Sequence, residues 1–197
     1  MNLYIYLPSP IMYTETSLDI LKNMFNVKSV KPIRYLPYKE EIRNAIFWIN
    51  SHGFERNCKH DFLIQGLPGS NVDKNYYEYM IQDERGNPFI PSKNFTKFFN
   101  VKDSIILFDS CYSSEIDLRT LGNWKSNLIF TTGYIPDKYN ETWSGLIKAI
   151  TCIYENLKLN KGIKKLDYET IEKNRDFINN YFESILNKQF KTQFILF

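Results

Sequence analysis

The sequence predicts an α/β domain: a three-layer α/β/α sandwich with a mainly parallel central sheet and helices on both faces. Three observations lead there. Strand-like runs alternate with helical stretches along the chain, the order that parallel sheets with crossover helices require. The runs Asn2–Leu7, Ile46–Asn50 and Ser104–Phe108 are apolar at successive positions rather than alternate ones, as strands covered on both faces are. The chain has 197 residues, of which 43% are hydrophobic, enough for one core without disulfides or a structural metal, so residues 1–197 are read as a single domain.

Each element follows from local pattern. Asn2–Leu7 is a buried strand that ends at Pro8. Thr16–Asn26 places Leu18, Leu21, Met24 and Phe25 on one helical face, with Thr16 or Ser17 as N-cap. Ser29–Leu36 is a second strand, weakened by Pro32. Lys39–Asn44 opens a helix, and Ile46–Asn50 is a short strand stopping at Ser51-His52-Gly53. Residues 54–75 read as loop, with Gly66, Pro68 and Gly69. Tyr76–Gln82 and Pro88–Ile90 make a hairpin around the turn Asp83–Asn87. Ser92–Phe99 is a helix capped by Ser92. Ser104–Phe108 is the clearest strand and runs into Asp109-Ser110-Cys111. Leu128–Thr132 is another strand, Ser144–Asn156 a helix, Tyr168–Lys188 a long amphipathic helix and Gln193–Phe197 a terminal strand.

Composition removes several classes of function. The net charge is only +3, with no basic arm or stripe, which argues against a nucleic-acid partner. No apolar run approaches the roughly 18 residues of a membrane span. The first residues lack a basic segment and stop at Pro8, so they read as a strand and not a signal peptide. An odd number of cysteines without an export signal fits a reducing cytoplasm. There are two histidines, His52 and His60, and three cysteines, Cys58, Cys111 and Cys152. Their spacing makes no zinc site, so no metal and no cofactor is expected. What this inventory does permit is one nucleophile and one base.

That pair is His52 and Cys111. Both follow strand ends, and in open parallel sheets chemistry lies just beyond the carboxyl ends of the strands. If the two strands are neighbours, the imidazole and the thiol face each other. A free thiol titrates near ~8.5, and a paired imidazole lowers that by several units. Gly53, with no Cβ, lets its N–H approach a ligand closely, and together with the Cys111 N–H it would form an oxyanion hole. Asp109 lies two residues before Cys111 and therefore on the same face of the strand, so its carboxylate is expected beside the nucleophile; the other reading is an aspartate that caps the following turn through backbone N–H groups. His60 and Cys58 read as loop residues, Cys152 as part of an apolar helix face, and Tyr76, Tyr77 and Tyr79 as hairpin packing.

The order strand–Asn50-Ser51-His52-Gly53, then strand–Asp109-Ser110-Cys111-Tyr112-Ser113-Ser114, resembles the caspase-like cysteine peptidases, the superfamily of caspases, metacaspases and clostripain-like enzymes. Caspases carry their histidine about 50 residues before the cysteine, and here 59 residues separate the two. The resemblance extends through Asn127–Gly133 and through Pro136, Glu141 and Trp143–Ala149, so it covers nearly the whole chain. Two positions depart from the metacaspase pattern: Ser51 and Ser114 stand where glycine is usual, and the second bears on the backbone behind the nucleophile. The resemblance implies a caspase-like sandwich, a Cys111–His52 dyad, an oxyanion hole at Gly53 and Cys111, and a specificity pocket bordered by Asp109 and Thr132. In metacaspase-like enzymes the matching aspartate receives arginine or lysine, which implies cleavage after a basic residue. Asp61 and Asp137 are candidates for a second acid.

The expected activity is thus a cysteine endopeptidase acting on a protein or peptide, with a regulatory protein partner conceivable and the oligomeric state open. No residue stands out as a third catalytic member. Arg119 and Lys125 are sites such an enzyme could cut in itself, but the short connection Ser113–Ser126 leads us to expect an uncut chain. Two other readings fit the same residues: a catalytically silent caspase-like interaction module, and a small-molecule cysteine amidase, which would normally bring a third acidic or amide partner.

Overall fold

In the computed structural model, residues 1–9, 14–55, 62–67, 71–134 and 144–197 are described. Cys58, His60, Asp61, Pro68, Gly69, Pro136, Asp137, Glu141 and Trp143 lie outside them.

The three apolar runs of the sequence become adjacent strands of a six-stranded sheet. Its members are β1 (Asn2–Tyr6), β2 (Ser29–Ile33), β4 (Ile46–Asn50), β10 (Ile105–Asp109), β11 (Leu128–Thr132) and β12 (Phe194–Leu196), in the order β12-β11-β10-β4-β1-β2. All neighbours are parallel except the β11–β12 pair. β4 and β10 are buried at every position, which is why neither shows an alternating pattern. Pro32 is tolerated because β2 is the terminal strand on its side.

Successive side chains point to opposite faces and feed two separate cores. Leu3, Trp48, Leu107 and Phe130 pack under α1 (Thr14–Met24), α3 (Gly145–Lys161) and the C-terminal helices. Tyr6, Phe47, Phe108 and Ile129 face the opposite layer, with Phe95, Phe99 and Trp124. Among the described residues, only the first layer carries α-helices longer than four residues. The second consists of a short helix α2 (Phe95–Phe98), 3₁₀ turns including Leu118–Ser126, a parallel pair β3 (Tyr38–Arg43) with β9 (Phe99–Lys102), and an antiparallel sheet. That sheet comprises β5 (Gly53–Glu55), β6 (Phe62–Gln65), β7 (Ile81–Gln82) and β8 (Pro88–Pro91), ordered β5-β6-β8-β7.

Several local expectations are corrected by these contacts. Lys39–Asn44 is largely strand β3, not helix, because it pairs with β9 and Glu41 reaches Lys102 at 2.9 Å. The stretch expected as loop after Gly53 contains β5 and β6, which borrow their order from β8. Tyr76–Tyr79 lies in a 3₁₀ turn over the second core, so only the short β7 remains of the expected first hairpin strand. Ser92 does not cap a helix; its hydroxyl is buried without a partner, and the segment starts as a 3₁₀ turn. α1 begins at Thr14, so Thr16 and Ser17 lie inside it. Ser17 instead accepts the Ser144 N–H at 3.0 Å, joining α1 to the start of α3. Ser144 is the N-cap of α3, accepting from the Ile147 N–H at 3.0 Å. The helix expected over Tyr168–Lys188 is interrupted at Asn174, giving α4 (Tyr168–Lys173), α5 (Arg175–Tyr181), a π turn at Phe182–Leu186 and α6 (Asn187–Phe190).

β12 is an edge strand, and exposed edges invite pairing with another chain. Here two asparagines occupy its outward groups. Asn179 donates to the Leu196 carbonyl and accepts the Leu196 N–H, both at 2.9 Å, while Asn187 accepts the Phe194 N–H at 2.8 Å. Asn179→Ala should cost about 1–3 kcal/mol by leaving those groups unpaired. It should also promote self-association; urea unfolding and light scattering read the two effects.

Candidate active site

The site is set by strand register. Asn50 and Asp109 are direct partners at the ends of β4 and β10. Each chain then advances through a serine, and the Ser51 and Ser110 hydroxyls are hydrogen-bonded at 3.0 Å, both buried. The next residues are His52 and Cys111. The two strand-end tripeptides are therefore clasped side by side at one lip of the sheet, with His52 exposed and Cys111 half-buried. The clasp gives a local reason for serine at position 51, where the metacaspase pattern has glycine. On the peptidase reading proposed below, Ser51→Ala should lower turnover about tenfold with little change in KM, since a small misplacement of reacting groups is costly. Steady-state kinetics on the folded variant checks it, and an unchanged kcat would exclude a positioning role for the clasp.

The glycine after His52 begins β5. The Gln65 N–H donates to the His52 carbonyl at 3.2 Å, so residues 52 and 65 form a hydrogen-bonded pair that continues the β5–β6 ladder. Antiparallel ladders alternate, which leaves the Gly53 N–H directed away from β6. Behind Cys111, the left-handed residue is Tyr112 (φ 65°), not Ser114, and the Tyr112 ring stacks on Tyr134 at 5.9 Å. Ser113 holds the turn: its hydroxyl donates to the Phe108 carbonyl and accepts the Thr132 N–H, both at 2.8 Å. Thr132 thus sits next to the turn after Cys111, but only 1% of it is exposed and its N–H is consumed by Ser113.

Asp109 does not open onto free solvent. It is 5% exposed and turns toward the α1–α3 layer, where its carboxylate accepts from Trp48 Nε1 at 3.1 Å and from the Ser144 hydroxyl. Both donors are neutral. Burial pushes its pKa up from 3.8 to about 6, and the two hydrogen bonds only partly oppose this. Its strand partner Asn50 donates to Thr14 Oγ1 at 3.3 Å, while Asn50 Oδ1 is buried without a partner. Two acceptors, one a carboxylate, are therefore buried on paired strand ends, whose backbones run about 4.8 Å apart.

Among the described residues no group of three His, Cys, Asp or Glu side chains is placed to hold a metal. Cys152 packs against the helical core, and burial pushes its thiol up, away from thiolate chemistry at neutral pH. No protein-family model matches the chain, and no curated protein matches its sequence. No described helix is long and apolar enough to cross a membrane.

The sequence points to His52, Gly53, Asp109, Cys111 and Thr132, and the fold gathers all five at the ends of β4, β10 and β11. It does not point to Asn50, to the Ser51–Ser110 clasp or to Ser113. The available signal is positional: Ser51 and Ser110 each immediately precede a member of the candidate pair.

Proposed function

We propose that the chain is a caspase-like cysteine endopeptidase of the cytoplasm that cleaves after arginine or lysine. The observation that carries this reading is the clasp of in-register strand ends, with one imidazole and one thiol following it at the same lip of a parallel sheet. In the mechanism, Cys111 attacks the scissile carbonyl and the Gly53 and Cys111 N–H groups hold the oxyanion. His52 protonates the leaving amine and then activates water to release the acyl group. The basic preference is supported by the buried acceptors Asp109 and Asn50, which have no described cation between them. A guanidinium or ammonium group would supply the missing donors and charge.

Fluorogenic peptides ending in arginine, lysine or aspartate test the reading. Hydrolysis after arginine or lysine, abolished by Cys111→Ala, is the expected result. Cleavage only after aspartate would overturn the role of Asp109, and no cleavage of any of them would remove the peptidase reading.

A further inference from the structure

Beside the dyad, the outer face of the small antiparallel sheet carries an apolar groove. Phe54 follows Gly53 directly and is 44% exposed, one of the few large hydrophobic side chains among the described residues left in solvent. Its register partner is Leu63, and Phe89 stands two strands away with its ring edge-on to Phe54 at 5.1 Å and 88°. Ile81 is the partner of Phe89. Since strand side chains alternate, these four share one face, while Ile64 and Ile90 turn inward to the second core. The four apolar residues, with Gln82 and Asp83 at the rim, line a cavity of about 400 Å³. The Asp83 carboxylate is already engaged by the Arg85 and Asn87 N–H groups and the Asn87 amide, so it holds the turn Asp83–Asn87 and leaves the groove apolar.

The groove has a defined position relative to the chemistry. The Phe54 ring lies 6.5 Å from the His52 ring. An extended peptide advances about 3.3 Å per residue, so the Phe54 end of the groove is within about two residues of the imidazole. His52 is the group that gives its proton to the leaving amine, so the part of a substrate lying over it is the leaving side, after the scissile bond. β5 is also the terminal strand of its sheet among the described residues, and its ladder directs the Gly53 and Glu55 backbone groups outward, where an extended segment could run alongside.

We infer that the Phe54–Leu63–Ile81–Phe89 groove is a leaving-side subsite, which selects substrates with a large apolar residue at the first or second position after the cleaved bond. This rests on the peptidase reading above and adds to it a substrate class. The subsite takes the apolar side chain out of water and holds the leaving segment under His52. It does not touch the reacting atoms, so Phe54 and Ile81 are specificity-determining and not catalytic residues.

The test uses internally quenched peptides on the full chain. Each carries the same arginine before the scissile bond, followed by leucine, phenylalanine, serine or aspartate at each of the next two positions. The peptide with serine at both positions offers the groove no apolar side chain and reports basal activity. For the wild-type chain, kcat/KM should be about tenfold or more higher for the leucine and phenylalanine peptides than for serine. In Phe54→Ser, and separately in Ile81→Ser on the far wall, that ratio should fall to about threefold or less while cleavage of the serine peptide is unchanged. Cleavage of the serine peptide without any apolar preference in the wild type would overturn the subsite and leave the peptidase reading intact, as would a preference that survives in both variants. Absence of cleavage of every one of these peptides by the wild type would instead remove the peptidase reading, and the subsite with it.

Discussion

Replacing Asp109 by asparagine should make the protein more stable at pH 7.5 and much less active toward arginine peptides. The two effects have one cause. The carboxyl titrates near 3.8 when exposed and at about 6 in the fold. Between those values the folded chain holds a proton that the unfolded chain has released, so stability falls as pH rises through that window and is level above it. Two pKa units at 1.36 kcal/mol each correspond to roughly 3 kcal/mol of destabilisation at neutral pH. The amide oxygen of an asparagine would accept from Trp48 Nε1 in a similar shape without the buried charge, so Asp109→Asn should recover up to about 3 kcal/mol. Urea unfolding at pH 4 and pH 7.5 measures this: the gain should be present at pH 7.5 and nearly absent at pH 4. Cleavage after arginine should meanwhile drop about 10²-fold or more, because the ion pair with the substrate is lost. A variant no more stable than the wild type at pH 7.5 would mean the carboxylate is compensated by a partner other than Trp48 and Ser144.

Cys111→Ala should reduce kcat/KM by about 10⁴-fold or more, and His52→Ala by a similar factor, since members of a nucleophile–base pair act as a unit. The double variant should therefore be scarcely worse than either single one. A thiol-directed probe should label Cys111 and spare Cys152, whose burial disfavours the thiolate. Single-turnover kinetics and mass mapping of the labelled protein provide the readouts. If His52→Ala retained near-wild-type activity, the imidazole would not be the base, and the clasp would need another explanation.

The strands of the central sheet are legible because both of their faces are apolar. Ile46–Asn50 carries its burial in every residue, and no neighbour is needed to see it. β3 is not legible: Lys39, Glu40 and Glu41 favour a helix locally, and only pairing with β9 makes them a strand. Ser17 resembles a cap for a related reason, since its hydroxyl serves the Ser144 N–H from a helix more than a hundred residues away.

For the site, the amino-acid order already contains the inventory: two histidines, three cysteines, and one of each placed just beyond a strand end. It also places an acid two residues before the thiol. How these groups meet is a matter of the folded chain. Register between β4 and β10 puts Asn50 opposite Asp109 and lets Ser51 reach Ser110. The burial of Asp109 among neutral donors, which sets its pKa, follows from Trp48 on the next strand and Ser144 at the start of α3. Hydrophobic pattern is a property of each segment alone, whereas a hydrogen bond or a desolvated charge belongs to pairs of residues far apart in the chain, and folding alone brings them together.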